Sequence, residues 1–259
     1  MPRFAANISL MFTELPFLDR FEASAKAGFK AVEFLFPYDF PAAEIATRLK
    51  DNGLSQVLFN APPGDWGQGE RGQAALPGRQ AEFREGFRKA LDYAAALSCP
   101  RIHVMSGLAP AGCPHDAMTG TLAANLAWAA EQAAPAGVKP VIEPINHRDI
   151  PGFFLNTTDQ AAAVIMAVGA EKVGLQFDLY HCQITEGDIV KRMEKHLPLI
   201  AHMQVADNPG RNEPGTGEVN WPFVFGRIDA LGFRGWIGCE YRPAGETVAG
   251  LGWFAPYKG

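Results

Sequence analysis

The strongest constraint on this chain is an alternation: short β-rich runs, each followed by a longer, Ala-rich amphipathic run, from one end to the other. Eight runs read as strands: Phe4–Phe12, Ala31–Phe36, Leu54–Asn60, Arg101–Ser106, Val138–Asn146, Val173–Tyr180, Ile200–Ala206 and Gly235–Tyr241. Helical patterns lie between them near residues 17–27, 41–51, 80–97, 116–134, 158–168, 186–196 and 221–231. Thr158 followed by Asp159 and Gln160, and Pro41 ahead of AAEIATRLK, are start signals. Eight βα units in 259 residues average about 32 each, the size of one βαβ crossover step. The expectation is a single-domain α/β protein, a (β/α)8 TIM barrel spanning residues 1–259, with a short or irregular final helix after Gly245.

Composition excludes several classes of function. No stretch approaches the roughly 18 consecutive apolar residues of a membrane span, and MPRFAANISLMF lacks the pattern of a secretory signal, so a cytoplasmic location is expected. A formal charge of −5 provides no general attraction for nucleic acid or an anionic membrane. Cys99, Cys113, Cys182 and Cys239 show no ligand spacing and read as reduced thiols. The Gly-rich 64–72 stretch lacks the strand-to-helix context of a dinucleotide site, so no nucleotide cofactor is expected. A homo-oligomer is compatible with all of this.

Residues 60–78, NAPPGDWGQGERGQAALPG, form the one long irregular segment. Following the third strand, they must emerge at the C-terminal face, where a barrel builds its active site, and they read as a lid or substrate wall. Strand alternation then says which side chains point inward. In VGLQFD, Gln176 and Asp178 share the polar face; in AHMQVAD, His202 and Gln204 do; in WIGCEY, Trp236, Gly238 and Glu240 do; in VIEPIN, Val141 and Glu143 do. Four consecutive strands thus aim Glu143, Asp178, Gln204 and Glu240 into the barrel near their C-terminal ends.

Three carboxylates cannot remain ionised and unpaired in a low-dielectric pocket, because desolvation and mutual repulsion oppose it. Arginine or lysine partners would relieve this, and so would a cation. An all-oxygen set suits Mg²⁺, with Mn²⁺ as the alternative, better than Zn²⁺.

The segments VIEPINHRDIPGFFLNT, QFDLYHCQ, HMQVADNPGRNEPGTGEVNW and CEYRPAGET carry a resemblance over nearly the whole chain, joined by AVEFLFPYDF and NAPPGDW. The sequence resembles the hydroxypyruvate isomerase family, within the xylose-isomerase-like TIM barrel superfamily and alongside 2-oxo-tetronate isomerases. The resemblance implies an aldose–ketose type isomerase interconverting hydroxypyruvate and tartronate semialdehyde through an ene-diol. Its substrate is a small anionic hydroxy-oxo acid. Glu143 and Glu240 match the proton donor and acceptor glutamates, and Glu143, Asp178, Gln204 and Glu240 match the divalent-metal positions. Similarity to ketose epimerases of the superfamily places His181 and Arg211 on substrate oxygens. Gln204 stands where many of those epimerases carry His, which favours Mg²⁺.

A glutamate bound to a cation loses basicity through the ligated oxygen, so the two roles of Glu143 and Glu240 pull against each other unless ligation is monodentate. A keto-sugar epimerase is the nearest rival function. A repair endonuclease would need a His-rich multi-zinc cluster and a basic face, and a non-catalytic ligand-binding barrel would not need both glutamates. His103 and His202 read as core or supporting groups, Glu33 as paired with a neighbour, and His147 and Arg148 as ordinary loop charges. Arg211 is expected to hold the substrate carboxylate, with Arg71, Arg84, Arg148 or backbone donors as alternatives.

Overall fold

The computed structural model describes residues 1–258. Eight parallel strands close into a barrel in sequence order. They are β1 (Arg3–Asn7), β2 (Ala31–Glu33), β3 (Ser55–Asn60), β4 (Arg101–His103), β5 (Lys139–Ile142), β6 (Gly174–Asp178), β7 (Ile200–Val205) and β8 (Trp236–Cys239). Closure is made by β1 against β8, with Arg3 opposite Trp236 and Ala6 opposite Cys239. Most strands end earlier than their β-rich sequence suggests. The ladder stops at Ile142 and Cys239, so Glu143 and Glu240 sit one residue past their strands while keeping the inward parity of the alternation.

The helices are α1 (Arg20–Ala27), α2 (Ala42–Asp51), α3 (Gln80–Leu97), α4 (His115–Ala133), α5 (Thr158–Val168), α6 (Leu179–Thr185), α7 (Ile189–His196) and α8 (Trp221–Ala230). Each lays an apolar stripe on the barrel; on α3, Phe83, Phe87, Ala90, Ala94 and Leu97 follow the helical period and are buried. Two local expectations shift. Thr157, not Thr158, caps α5, accepting from the Gln160 N–H at 3.2 Å. The single helix expected over 186–196 is preceded by a separate short helix, α6, which starts directly on Asp178. After Gly245 a 3-10 helix, Ala249–Tyr257, packs Trp253, Phe254 and Tyr257 edge-on to Phe4 and seals the barrel beside its closure.

The barrel interior is layered. Ala5, Ala31, Val57 and Trp236 form an apolar plug. Another layer is a polar network centred on buried Glu33, which accepts from Asn7 Nδ2 at 3.0 Å and Gln204 Nε2 at 2.8 Å and pairs with His202 Nε2 at 2.6 Å. Gly238 makes room for it, since a Cβ there would lie 2.2 Å from the Glu33 carboxylate. His202 and Glu33 thus act as the supporting groups that their inward positions suggest.

Candidate active site

Asp178 divides its carboxylate between structure and site. Oδ1 caps α6, accepting the Tyr180 N–H at 2.8 Å, at a helix terminus that favours negative charge. Oδ2 is buried and meets no hydrogen-bond donor. One turn along α6, His181 brings Nε2 to 3.6 Å from that oxygen and to 3.9 Å from Glu143 Oε1, which is also buried without a donor. Glu143, Asp178, His181 and Glu240 each present one ligand atom, and these lie within 4.8 Å of one another.

The His181 proton can be assigned. The Asp149 backbone N–H donates to Asn146 Oδ1 at 2.8 Å, so the amide group of Asn146 turns its N–H toward His181 Nδ1. A ring whose Nδ1 accepts carries its proton on Nε2 when neutral. Burial, then the nearby Arg211 charge, hold His181 well below its ordinary pKa. His181 therefore aims a neutral N–H donor into the carboxylate cluster.

Burial, followed by repulsion from Glu240 and Asp178, raises the Glu143 pKa well above the usual carboxylate range. Burial pushes Asp178 to about 6 and Glu240 to about 8, with Arg211 opposing both. Among the described residues, Arg211 is the cation that reaches the cluster. Its Nη2 donates to Glu240 Oε2 at 2.8 Å and its Nη1 to Asp149 Oδ2 at 2.9 Å. The loop that delivers it is built around Asp207, whose carboxylate accepts from the N–H groups of Gly215, Gly217 and Val219. Arg211 adopts a left-handed backbone, φ 55°, held by Asp207 O on its N–H and by the Arg242 N–H on its carbonyl.

Gln204 is Asp178's register partner, but its Oε1 accepts from Gln176 at 2.6 Å and its Nε2 reaches down to Glu33. The other five expected site residues meet around one end of the barrel. A cavity of about 340 Å³ opens there, lined among others by Glu143, His181, Arg211, Glu240, Asn60 and His103. His103 contributes more than a core position suggests: Nδ1 is 3.2 Å from Asn60 Oδ1 and 3.6 Å from Glu143 Oε2, and burial drives its pKa to about 3. Asn7, 3.5 Å from Glu240 Oε1, together with Asn146 and Asp149, was not identified by sequence reasoning. The only sign was their place at or just past strand ends. Trp66 and Arg71, from the irregular segment after β3, supply part of the cavity wall, as a substrate-wall role for that segment requires.

The donor set fits a divalent cation on chemical grounds. Two buried, donorless carboxylate oxygens and a third carboxylate face one point, and a single guanidinium is too little charge to balance them.

The family model for the xylose isomerase-like TIM barrel matches residues 21–257. Over the full length of both chains, the sequence is 55% identical to the 2-oxo-tetronate isomerase of Cupriavidus necator and 46% identical to the hydroxypyruvate isomerase of Escherichia coli. A crystal structure from Brucella melitensis described as AP endonuclease, family 2, superposes with a TM-score of 0.98 at 49% identity, covering 100% of each chain. An L-ribulose 3-epimerase structure shares the fold, with a TM-score of 0.77 at 23% identity over 94% of this chain and 82% of that one.

Proposed function

The chain belongs to the xylose isomerase-like TIM barrel family and is an isomerase, and from that premise we propose that it moves a carbonyl between neighbouring carbons of a short hydroxy-2-oxo acid. Hydroxypyruvate is one candidate substrate. The four-carbon 2-oxo-tetronate is favoured by the 55% identity to a relative of that name and by the room that a cavity of about 340 Å³ leaves for a fourth carbon. The observation that carries the reading is the convergence of Glu143 and Glu240, from the ends of β5 and β8, on a neutral His181 donor.

In the three-carbon case the C3–H bond breaks, its electrons form the C2=C3 double bond, and the C2 carbonyl electrons move onto O2. Glu143 takes that proton. Its Oε1 accepts no hydrogen bond, whereas Glu240 Oε2 is held by Arg211 and is the weaker base. The His181 Nε2–H stabilises charge on the enediolate oxygens, in a buried site where such a donor needs no reorganisation. Glu240, entering protonated, gives its proton to C2, while the O3–H proton passes to O2 and C3 becomes the carbonyl, giving tartronate semialdehyde; exchange with water then resets both glutamates. In a 2-oxo-tetronate the same relay moves the carbonyl from C2 to C3.

Glu143, Asp178 and Glu240 would hold a divalent cation, Mg²⁺ or Mn²⁺ by their hard oxygen character, with Gln204 joining only if its amide gives up Gln176. Such an ion supplies Lewis acidity and charge balance. His181, protonated on Nε2, serves the substrate and not the ion. A His-rich multi-metal cluster of the endonuclease kind has no counterpart among the described residues, where the metal-competent group contains one histidine.

The test is to incubate the protein with hydroxypyruvate, 2-oxo-tetronate and neutral ketoses in D₂O, with and without Mg²⁺, and follow products by proton NMR. Isomerisation of the 2-oxo acids with solvent deuterium appearing on carbon is expected. Turnover of neutral ketoses alone would replace this reading with an epimerase.

A further inference from the structure

We propose that Arg71, stacked on Trp66 in the segment after β3, binds the substrate carboxylate and makes the site select 2-oxo acids over neutral ketoses. This rests on the isomerase reading above.

Three arginines line the cavity: Arg71, Arg211 and Arg242. Arg211 is already engaged by carboxylates. Its two terminal nitrogens are bonded to Asp149 and Glu240, and its Nε points at the Glu240 carbonyl at 3.5 Å. An incoming carboxylate would have to compete for this guanidinium with a buried glutamate, and weakening that pair is costly. Arg84, which the sequence also offers, lies over Trp128 among the outer helices.

Arg71 is different. Its Nη1 donates to the carbonyls of Trp66, at 3.2 Å, and Glu70, at 2.7 Å. Among the described residues it forms no ion pair, and its Nε and Nη2 have no hydrogen-bond partner. Those two N–H groups form one edge of the guanidinium, the edge that meets both oxygens of a carboxylate in parallel. The plane of the group is fixed by Trp66, whose ring centroid is 3.8 Å from Cζ, and Trp66 in turn rests against Phe36 at 5.3 Å.

The backbone on either side of Arg71 is pinned. Glu70 is the adjacent acid that could neutralise it, but Glu70 is paired with Arg79 and accepts the Asp65 N–H at 2.7 Å. Gly72 bridges to Ser106, and a Cβ at that residue would stand 2.3 Å from the Met105 carbonyl, so only glycine lets the loop lie this close. The loop therefore presents a preorganised cation, free of carboxylate partners, on the cavity wall. A neutral ketose gains nothing from it. A 2-oxo acid gains two charge-assisted hydrogen bonds.

The experiment compares Arg71→Met, Arg71→Lys and Arg242→Met with the parent protein. The paired substrates are hydroxypyruvate and dihydroxyacetone, its counterpart with CH₂OH in place of the carboxylate. Binding of D-glycerate and of glycerol, measured by calorimetry, gives a readout independent of turnover. Arg71→Met is expected to lower kcat/KM for hydroxypyruvate by about tenfold or more, chiefly through KM, and to weaken D-glycerate to match. Dihydroxyacetone turnover should stay within about twofold, and Arg71→Lys should recover only part of the loss. The proposal is overturned if Arg71→Met handles hydroxypyruvate and D-glycerate like the parent, if Arg242→Met carries the loss instead, or if neutral and anionic substrates suffer equally. Failure of the parent protein on every 2-oxo acid would sink the isomerase reading instead, while D-glycerate binding would still decide the role of Arg71.

Discussion

Asn146 donates its side-chain N–H to Nδ1 of His181, and the Asp149 N–H on Asn146 Oδ1 prevents the amide from turning the other way. This fixes the neutral imidazole as an Nε2–H donor facing Glu143 and Asp178. A carboxylate in place of the amide would accept from Nδ1, move the ring proton and raise the histidine's basicity. Asn146→Asp is therefore expected to lower kcat by about tenfold to a hundredfold, the scale of a lost, well-placed donor. Nitrogen NMR of the ring should show the proton leaving Nε2. A variant with parent kcat and a shifted tautomer would remove His181 from the proton-donor role.

Glu143 and Glu240 are given the two proton transfers, and both are buried. Replacement of either by Gln keeps shape and one oxygen while removing the base, and is expected to reduce turnover by about a hundredfold to ten-thousandfold. Substrate binding should change little, as calorimetry with D-glycerate would read. The two variants should differ in isotope exchange. Glu143→Gln should lose exchange of the C3 proton of hydroxypyruvate, whereas Glu240→Gln should retain some, because the first abstraction survives. The opposite pattern would exchange their roles.

Asp178 allows the metal proposal to be separated from folding. Asp178→Asn keeps an oxygen to cap Tyr180 on α6 but removes the charge from the donorless Oδ2. Mn²⁺ affinity, read by electron paramagnetic resonance and displaced by Mg²⁺, should fall by about tenfold or more, while thermal unfolding of the metal-free protein changes little. No Mn²⁺ binding to the parent, with full activity in EDTA, would leave the glutamates working with His181 and Arg211 alone.

The fold was readable because its signal repeats eight times, so an error at one strand does not disturb the count. Strand ends were less readable. Barrel ladders here are only three to six residues long, and the extended chain beyond them keeps β-like composition without β pairing. Parity survives that error, which is why Glu143 and Glu240 still point where alternation puts them. The amide network was not legible. Asn7, Glu33 and Gln204 come from β1, β2 and β7, and no local pattern announces hydrogen bonds across 26 or 171 residues. The same holds for the arginines: the sequence favours Arg211 over Arg71, and only its contacts with Asp149 and Glu240, 62 and 29 residues away, show that it is already engaged.

The opposite mouth of the barrel supports a prediction about stability alone. Arg101 and Lys139 begin β4 and β5, are register partners, and line a cavity of about 580 Å³ with Arg234 and no acidic residue. Arg101 has one weak contact, to the Val57 carbonyl at 3.5 Å, and burial lowers its pKa; Lys139 reaches the Ala170 carbonyl at 3.2 Å. Two like charges carried on neighbouring strand starts repel, by about 1 kcal/mol or less where solvent reaches them. Methionine at position 139 would keep the aliphatic stem packed over Gly174 and remove the repulsion. Lys139→Met should therefore stabilise the protein toward urea by roughly 0.5 kcal/mol at low salt, with a smaller gain at high salt as screening weakens the repulsion. Turnover should not change, because the Glu143–Asp178–Glu240 cluster lies at the far end of the barrel. A loss of stability, or a gain indifferent to salt, would show that the lysine's packing and carbonyl contact outweigh its charge.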